Sequence, residues 1–266
     1  MLLATVRHLA VNQEHVTHIS RVRATLADGS STTLYVARFA LAGTKLVVHR
    51  LPGLTRLEGW CQMRGISDAL VGGFYRRDPV ADPGSTVTGM PLGELRLDGL
   101  VQPHVPFSAP WGARRACIHV ADGEVRIARR DDLPEDPTGD LLQAGPLLLS
   151  GGRVVPGEWE GFSAGADQFD SDITLGRHPR AALGSDGEHL IAVVCDGRAH
   201  DEAGLTLDEL ARALLELGAR EALNLDGGGS ASLVAGGRLC NVPRESHGLV
   251  VLGGRQVATA LVFASR

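Results

Sequence analysis

Residues 206–230 read Thr206-Leu207-Asp208-Glu209-Leu210-Ala211-Arg212-Ala213-Leu214-Leu215-Glu216-Leu217-Gly218-Ala219-Arg220-Glu221-Ala222-Leu223-Asn224-Leu225-Asp226-Gly227-Gly228-Gly229-Ser230. Leu207, Leu210, Ala211, Leu214 and Leu217 repeat at helical spacing, Thr206 and Glu209 form a capping box and Gly218 closes the segment, which predicts a helix over 206–217. The helix feeds a short apolar strand, 221–225, that runs straight into three glycines. Glycines have no side chain to pack in a strand, so something approaches this backbone closely, and their N–H groups are free to face an anionic or sugar-like ligand. A tight strand-to-strand turn would use the same glycines. The helix, the short connection and the loop together form a rigid support for Asp226.

Outward from this unit the chain reads as antiparallel sheet. Strands are expected at 17–26, 32–40 and 45–50, the first two joined by Asp28-Gly29-Ser30-Ser31. A helix over 55–63 follows, with Thr55 as cap and Gly65 as stop. Residues 68–75 return to a strand containing Gly72-Gly73, a second place of close approach. Hairpins are marked by Asp122-Gly123, Gly151-Gly152 and Asp186-Gly187 between apolar runs. Loops are expected at 130–140 and 156–172, the second carrying Trp159, Phe162 and Phe169, which either stack on a sugar ring or pin the loop to its own core. With no internal repeat and no clear linker, the fold class is α+β: mixed, largely antiparallel sheets with a few packed helices in a single compact domain over 1–266.

At 266 residues, 44% hydrophobic, the chain is long enough for a substantial core. A formal charge of −5 supplies no basic field, which argues against nucleic acid or an anionic membrane as a partner. Cys61, Cys117, Cys195 and Cys240 form no CxxC pair, so neither a zinc knuckle nor a redox dithiol is indicated, and Cys117 and Cys195 sit in apolar runs as small hydrophobes. No basic leader and no membrane-length apolar segment is visible, so the expected location is cytoplasmic. Asp167, Asp170 and Asp172 lack the ordered ligands of a calcium loop.

Several motifs are excluded. The glycine run lacks the Lys-Ser/Thr of a P-loop and the spacing of a dinucleotide fingerprint. Ser230 lacks the closing glycine of a nucleophile elbow, so a serine hydrolase requires His178, His200 or His247 to fold beside it.

Six patches in fixed order resemble the phosphodiester glycosidase family: Gly72-Gly73-Phe74-Tyr75; Gln143-Ala144-Gly145-Pro146 with Gly151-Gly152; residues 177–184 from Arg177 through His178-Pro179-Arg180 to Gly184; Asp196-Gly197-Arg198; residues 204–210; and the loop from Asn224 to Ser230. Asn241, Pro243 and Arg255 extend the match, which covers residues 66–266 and leaves 1–65 as an N-terminal set of strands and a helix. Val71 stands where the family usually has Asn, and Ala181 where it usually has Thr.

The resemblance implies hydrolysis of a sugar joined at its anomeric carbon to a phosphodiester, with a small-molecule or glycan substrate and no required cofactor; a divalent cation is not indicated by any motif. Phosphate is a good leaving group, so the acid/base carboxylate pair of ordinary glycosidases is less necessary. Arg180, Arg198, Arg255 and the N–H groups of Gly227, Gly228 and Gly229 are the candidates for holding its charge, with Gly73, Ser230, Asn241 and His178 as further contacts. Asp226 is the candidate carboxylate, either activating water or shielding an oxocarbenium-like centre. Asn224, two residues earlier, is placed to orient the sugar or Asp226, and Asp196 at the end of another apolar strand is the second carboxylate candidate. A carbohydrate- or phosphate-binding relative without turnover is the alternative from another class.

Overall fold

Leucine, valine and isoleucine occupy both faces of the central strands, so these strands are covered on both sides. The computed structural model describes residues 2–9, 18–78, 88–109, 111–155 and 176–266. The loop expected at 156–172, with its aromatics and Asp167, Asp170 and Asp172, lies outside them.

An 8-stranded sheet runs in the order Leu2–Leu9, His18–Thr25, Ser31–Ala40, His189–Cys195, Arg180–Ser185, Glu221–Asn224, Leu147–Ser150, Arg153–Val154. One 5-stranded sheet orders Glu124–Arg129, Ala116–Ala121, Asp140–Gln143, Leu95–Leu97 and Leu100–Val101, and another orders Arg238–Leu239, Leu233–Ala235, Ala69–Val71, Gln256–Ser265 and Thr44–Arg56. Every strand pairing is antiparallel among the described residues.

The two-residue period of a strand sorts the large sheet into two cores. Ala181, Leu183, Ala192 and Val194 face the smaller sheets, whereas Ala182, Ile191, Val193 and Cys195 join Leu207, Leu210, Ala211 and Leu214 of the helix Leu207–Glu216. Phe39 and Phe263 stack at 3.9 Å between centroids, joining the large sheet to the strand Gln256–Ser265. Each buried helix leucine contributes on the order of 2 kcal/mol. The helix carries its capping box: Glu209 N–H donates to Thr206 Oγ1 at 3.1 Å and Thr206 N–H to Glu209 Oε2 at 2.9 Å. No described helix is long and apolar enough to cross a membrane.

Two local expectations need correction. The second helix is Leu57–Arg64, capped by Arg56 without a side-chain bond, because Thr55 belongs to the long strand Thr44–Arg56 and donates its hydroxyl to Pro52 O at 3.0 Å. Gly65 stops it in the left-handed region as expected. The strand expected over 68–75 breaks into Ala69–Val71 and Tyr75–Arg77. Thr259 causes the break: Gly72 N–H donates to Thr259 O and Gly73 N–H to Thr259 Oγ1, both at 3.0 Å, and a Cβ on Gly72 would lie 2.4 Å from that hydroxyl and 2.9 Å from the Thr259 carbonyl carbon. Backbone cannot yield as a flexible side chain does. Gly72→Ala is therefore expected to cost about 2 kcal/mol or more in denaturant unfolding, while Gly43→Ala, where nothing lies within 4 Å, shifts the midpoint little.

Candidate active site

The strand Glu221–Asn224 ends at a junction of all three larger sheets. Gly145 N–H donates to Asn224 O (3.1 Å), Asn224 N–H to Pro146 O (3.0 Å), Leu225 N–H to Ala181 O (2.8 Å) and Asp226 N–H to Gly72 O (3.1 Å). Four backbone bonds to three separate chain segments fix where Asp226 begins. Beyond it Gly228, at φ +59°, starts a single 3-10 turn through Ser230, with Gly228 N–H donating to Pro179 O at 2.8 Å. A Cβ on Gly227 would meet Pro179 O at 2.8 Å, so the loop is pressed against the strand that carries Arg180.

Asp226 keeps part of its surface open. Burial nevertheless pushes its pKa up to about 6, against the opposing pull of the Ser230 hydroxyl, Arg255, its own bond from Gly227 N–H (3.0 Å) and Arg77. The Ser230 hydroxyl acts through proximity, because it makes no hydrogen bond of good geometry.

Cationic groups flank the loop on two sides. On one, Arg198 lies with Nη1 3.2 Å from the position of a Cβ on Gly228; it donates to Arg244 O (3.2 Å) and lies 3.3 Å from His178 Nδ1. Arg180 is buried beside it, donating Nε–H to Leu205 O (3.0 Å) and Nη2–H to Gly176 O (2.9 Å), with no carboxylate partner among the described residues. Burial, with Arg198 adding to it, lowers the Arg180 pKa to about 10. On the other side Arg255 N–H donates to Gly229 O (2.9 Å). Its guanidinium grips Glu245 through Nε (2.6 Å to Oε1) and Nη2, leaving Nη1 without a protein partner among the described residues. Burial opposes the Arg255 charge, but Glu245, Asp226 and Tyr75 hold its pKa above the ordinary value, and the same pair holds Glu245 below its own. Tyr75, bonded by Arg77 at 3.4 Å, is raised first by burial and then by the charge of Asp226.

Asp226, the three glycines, Arg198, His178 and Arg255 are thus brought to one place, but the expected amide cradle is smaller than three. Gly227 N–H and Gly228 N–H are taken by Asp226 Oδ1 and Pro179 O, which leaves Gly229 N–H as the one without a partner among the described residues, and buried Arg180 spends Nε and Nη2 on scaffold carbonyls. Other candidates are placed as supports. Asn241 accepts from Leu233 N–H (3.2 Å) and donates to Ala231 O (2.8 Å), which ties down the exit of the loop. Asp196 is buried and accepts from Val242 N–H (2.8 Å) and Tyr35 OH (3.2 Å), so both carboxylate oxygens are engaged in the scaffold. Gly73 packs against Gln143 and Ala144. Asn224 is buried, donates to Leu225 O (2.9 Å), and leaves Oδ1 unpartnered. Ser230 is fully buried and bonded to no histidine, which removes the support for a serine nucleophile. Among the described residues no three His, Cys, Asp or Glu side chains gather as metal ligands.

Sequence reasoning missed Tyr75, Arg77 and Glu245. Tyr75 lies within the quoted Gly72-Gly73-Phe74-Tyr75 patch, whereas Glu245 has no local signal: only folding lays its carboxylate over Gly229, where a Cβ would come within 2.8 Å of Oε1.

The chain is 30% identical over 184 residues to N-acetylglucosamine-1-phosphodiester alpha-N-acetylglucosaminidase of Mus musculus, a match covering 65% of this chain and 32% of the mouse protein. The zebrafish enzyme of the same name, solved as a catalytic domain auto-inhibited by its pro-peptide, superposes with a TM-score of 0.67 at 20% identity over 99% of this chain and 89% of that structure. A putative exported protein of Burkholderia pseudomallei gives a TM-score of 0.62 at 15% identity, covering 88% and 74% of the two chains. A hypothetical protein of Synechocystis gives 0.59 at 18%, covering 93% and 62%. At these identities the structures speak for the fold alone. The family model for phosphodiester glycosidases matches residues 64–264, and the chain belongs to the phosphodiester glycosidase family.

Proposed function

We propose that this protein hydrolyses the anomeric C–O bond of a sugar 1-phosphodiester, releasing free sugar and a phosphomonoester. The observation that carries the reading is the position of Asp226: a carboxylate at the foot of a glycine loop, with Arg198 beside Gly228, Arg255 beside Gly229, and the charges of Arg255 and Arg77 acting on it. The reaction separates a cation-like sugar carbon from a departing phosphate anion. Arginine side chains and the Gly229 N–H suit the anion, and a carboxylate suits the developing positive charge or the attacking water. Because phosphate departs without protonation, Asp226 works in its ionised form. Activity is therefore expected to rise with pH through about 6 and to hold above it.

Val71 and Ala181 are both fully buried, one next to the Gly72 carbonyl that holds Asp226 and the other supplying the carbonyl that holds Leu225. The mouse relative's name makes N-acetylglucosamine phosphodiesters the first substrates to try. The test is incubation of the protein with a panel of sugar 1-phosphodiesters, and with UDP-N-acetylglucosamine as a sugar 1-pyrophosphate, with and without EDTA, and measurement of free sugar. Release that EDTA leaves unchanged is the expected result. No release by folded protein from any of them would overturn the reading.

A further inference from the structure

The loop that begins at Arg244 and ends at Arg255 displays Leu249 at 68%, Val250 at 53% and Leu252 at 84% exposure. The other large hydrophobics that stand out among the described residues, Met63, Leu100, Val101 and Leu215, belong to other elements. This display is built into an ordered loop. Glu245 N–H donates to Leu249 O (2.9 Å), Val251 N–H to Pro243 O (2.9 Å) and Gly254 N–H to Val251 O (2.9 Å), and the Glu245–Arg255 pair staples its base. Gly248, at φ +79°, is pressed so close to the Arg198 carbonyl that a Cβ would lie 2.7 Å from that oxygen. An apolar run held in water by its own hydrogen bonds has an unfavourable exposure that a ligand would relieve.

Its surroundings say which ligand. The base of the loop is the site itself, since Arg255 and Glu245 flank Gly229, and Arg198 donates to the carbonyl of Arg244. Arg56 donates Nε–H to Gly254 O (3.2 Å) on the far limb. The collar holds Arg198, Arg255 and Arg56 against two carboxylates, Glu245 paired to Arg255 and Glu58 beside Arg56 at Gly253, so it keeps a net positive charge with an apolar tip beyond it, which is complementary to an anionic phosphate carrying an apolar chain.

We propose that Leu249-Val250-Val251-Leu252 receives the chain of an amphiphilic aglycone, so that the substrate is a sugar 1-phosphodiester of a long-chain alcohol. The proposal rests on the phosphodiester glycosidase reading of the site. In the reaction the oxygen of water bonds to C1, the C1–O bond breaks with its electron pair leaving on phosphate, and a proton is released. The products are free sugar and the lipid monophosphate.

The test compares methyl and octyl esters of the same sugar 1-phosphate, below the micelle concentration, using wild type and the double variant Leu249→Ser/Leu252→Ser. Partial cover of seven added methylenes predicts a rise in wild-type kcat/KM of roughly 10- to 100-fold from methyl to octyl, expressed mainly in KM. The octyl-to-methyl ratio falls toward one in the double variant, whose fold is checked by its melting curve. Equal kcat/KM for both esters overturns the proposal, as does a rise that survives in the double variant. Chain-length independence combined with sedimentation on phosphatidylglycerol vesicles, or with concentration-dependent dimerisation lost in the double variant, assigns the tip to a membrane or a second copy and overturns it as well. Turnover of the methyl ester shows that the underlying reading holds whichever way the chain-length comparison falls. If folded protein turns over neither ester, both fail.

Discussion

Replacing Asp226 with Asn is expected to lower kcat about 1,000-fold while making the protein more stable at neutral pH. The first effect follows from removing the carboxylate on which the glycine loop begins; a positioned acid/base group contributes roughly 10²- to 10⁴-fold. The second follows from linkage. The folded-state pKa of Asp226 is raised to about 6 from 3.8, so between these values the native state binds more protons than the unfolded chain. Stability from this group is therefore greatest below about pH 4, declines as pH rises, and stays low above about 6. Two units correspond to at most about 3 kcal/mol, and partial exposure reduces this to about 1–2 kcal/mol. The amide of the Asp226→Asn variant cannot ionise and escapes the penalty. Unfolding curves at pH 7 are expected to place the variant above wild type, with the difference closing below pH 4. A variant that loses stability and activity together would show that Asp226 serves the fold instead of the reaction.

Removing the Arg255 side chain with Ala is expected to reduce kcat/KM by about 100-fold or more, through loss of a charged donor on the departing phosphate. The same change removes a positive charge that holds Asp226 down and leaves Glu245 without its partner beside Gly229. With that attraction lost, the rising limb of the pH profile moves above about 6. Glu245→Gln does the opposite: Arg255, freed from its partner, stabilises ionised Asp226 and moves the limb to lower pH. Tyr75, Arg77 and Ser230 also act on Asp226, and both variants leave them in place. Neither partner of the ion pair is fully buried, with side-chain exposures of 29% and 31%, so each change costs stability only about 1 kcal/mol. Opposite displacements of the limb distinguish electrostatic tuning from mere damage to the loop. Displacements of the same sign would contradict the charge arrangement.

The elements readable from sequence are those whose instructions are local. The capping box at Thr206 and Glu209 and the Asp122-Gly123 turn, with both residues at positive φ, specify their geometry within a few positions. The strand Gln256–Ser265 escaped notice because it is buried on both faces in the middle of its sheet, and a continuous apolar run shows no alternation. The break at Gly72 depends on Thr259, far away at the other end of the chain, and no local pattern encodes it. The site divides similarly. Asp226 and its glycines were legible because a strand ending in three glycines is locally anomalous. Asn241 and Asp196 carried the right chemistry, but their bonds to Ala231, Leu233, Val242 and Tyr35 show them clamping the scaffold. Glu245 became visible only when the fold laid it over Gly229.

Hydrolysis of whichever sugar 1-phosphodiester the protein turns over, in water enriched in oxygen-18, tests the bond assignment directly. Cleavage at the anomeric carbon places the label in the released sugar and none in the phosphomonoester. Label in the phosphate would show attack at phosphorus, and the role given to Asp226 would fall with it.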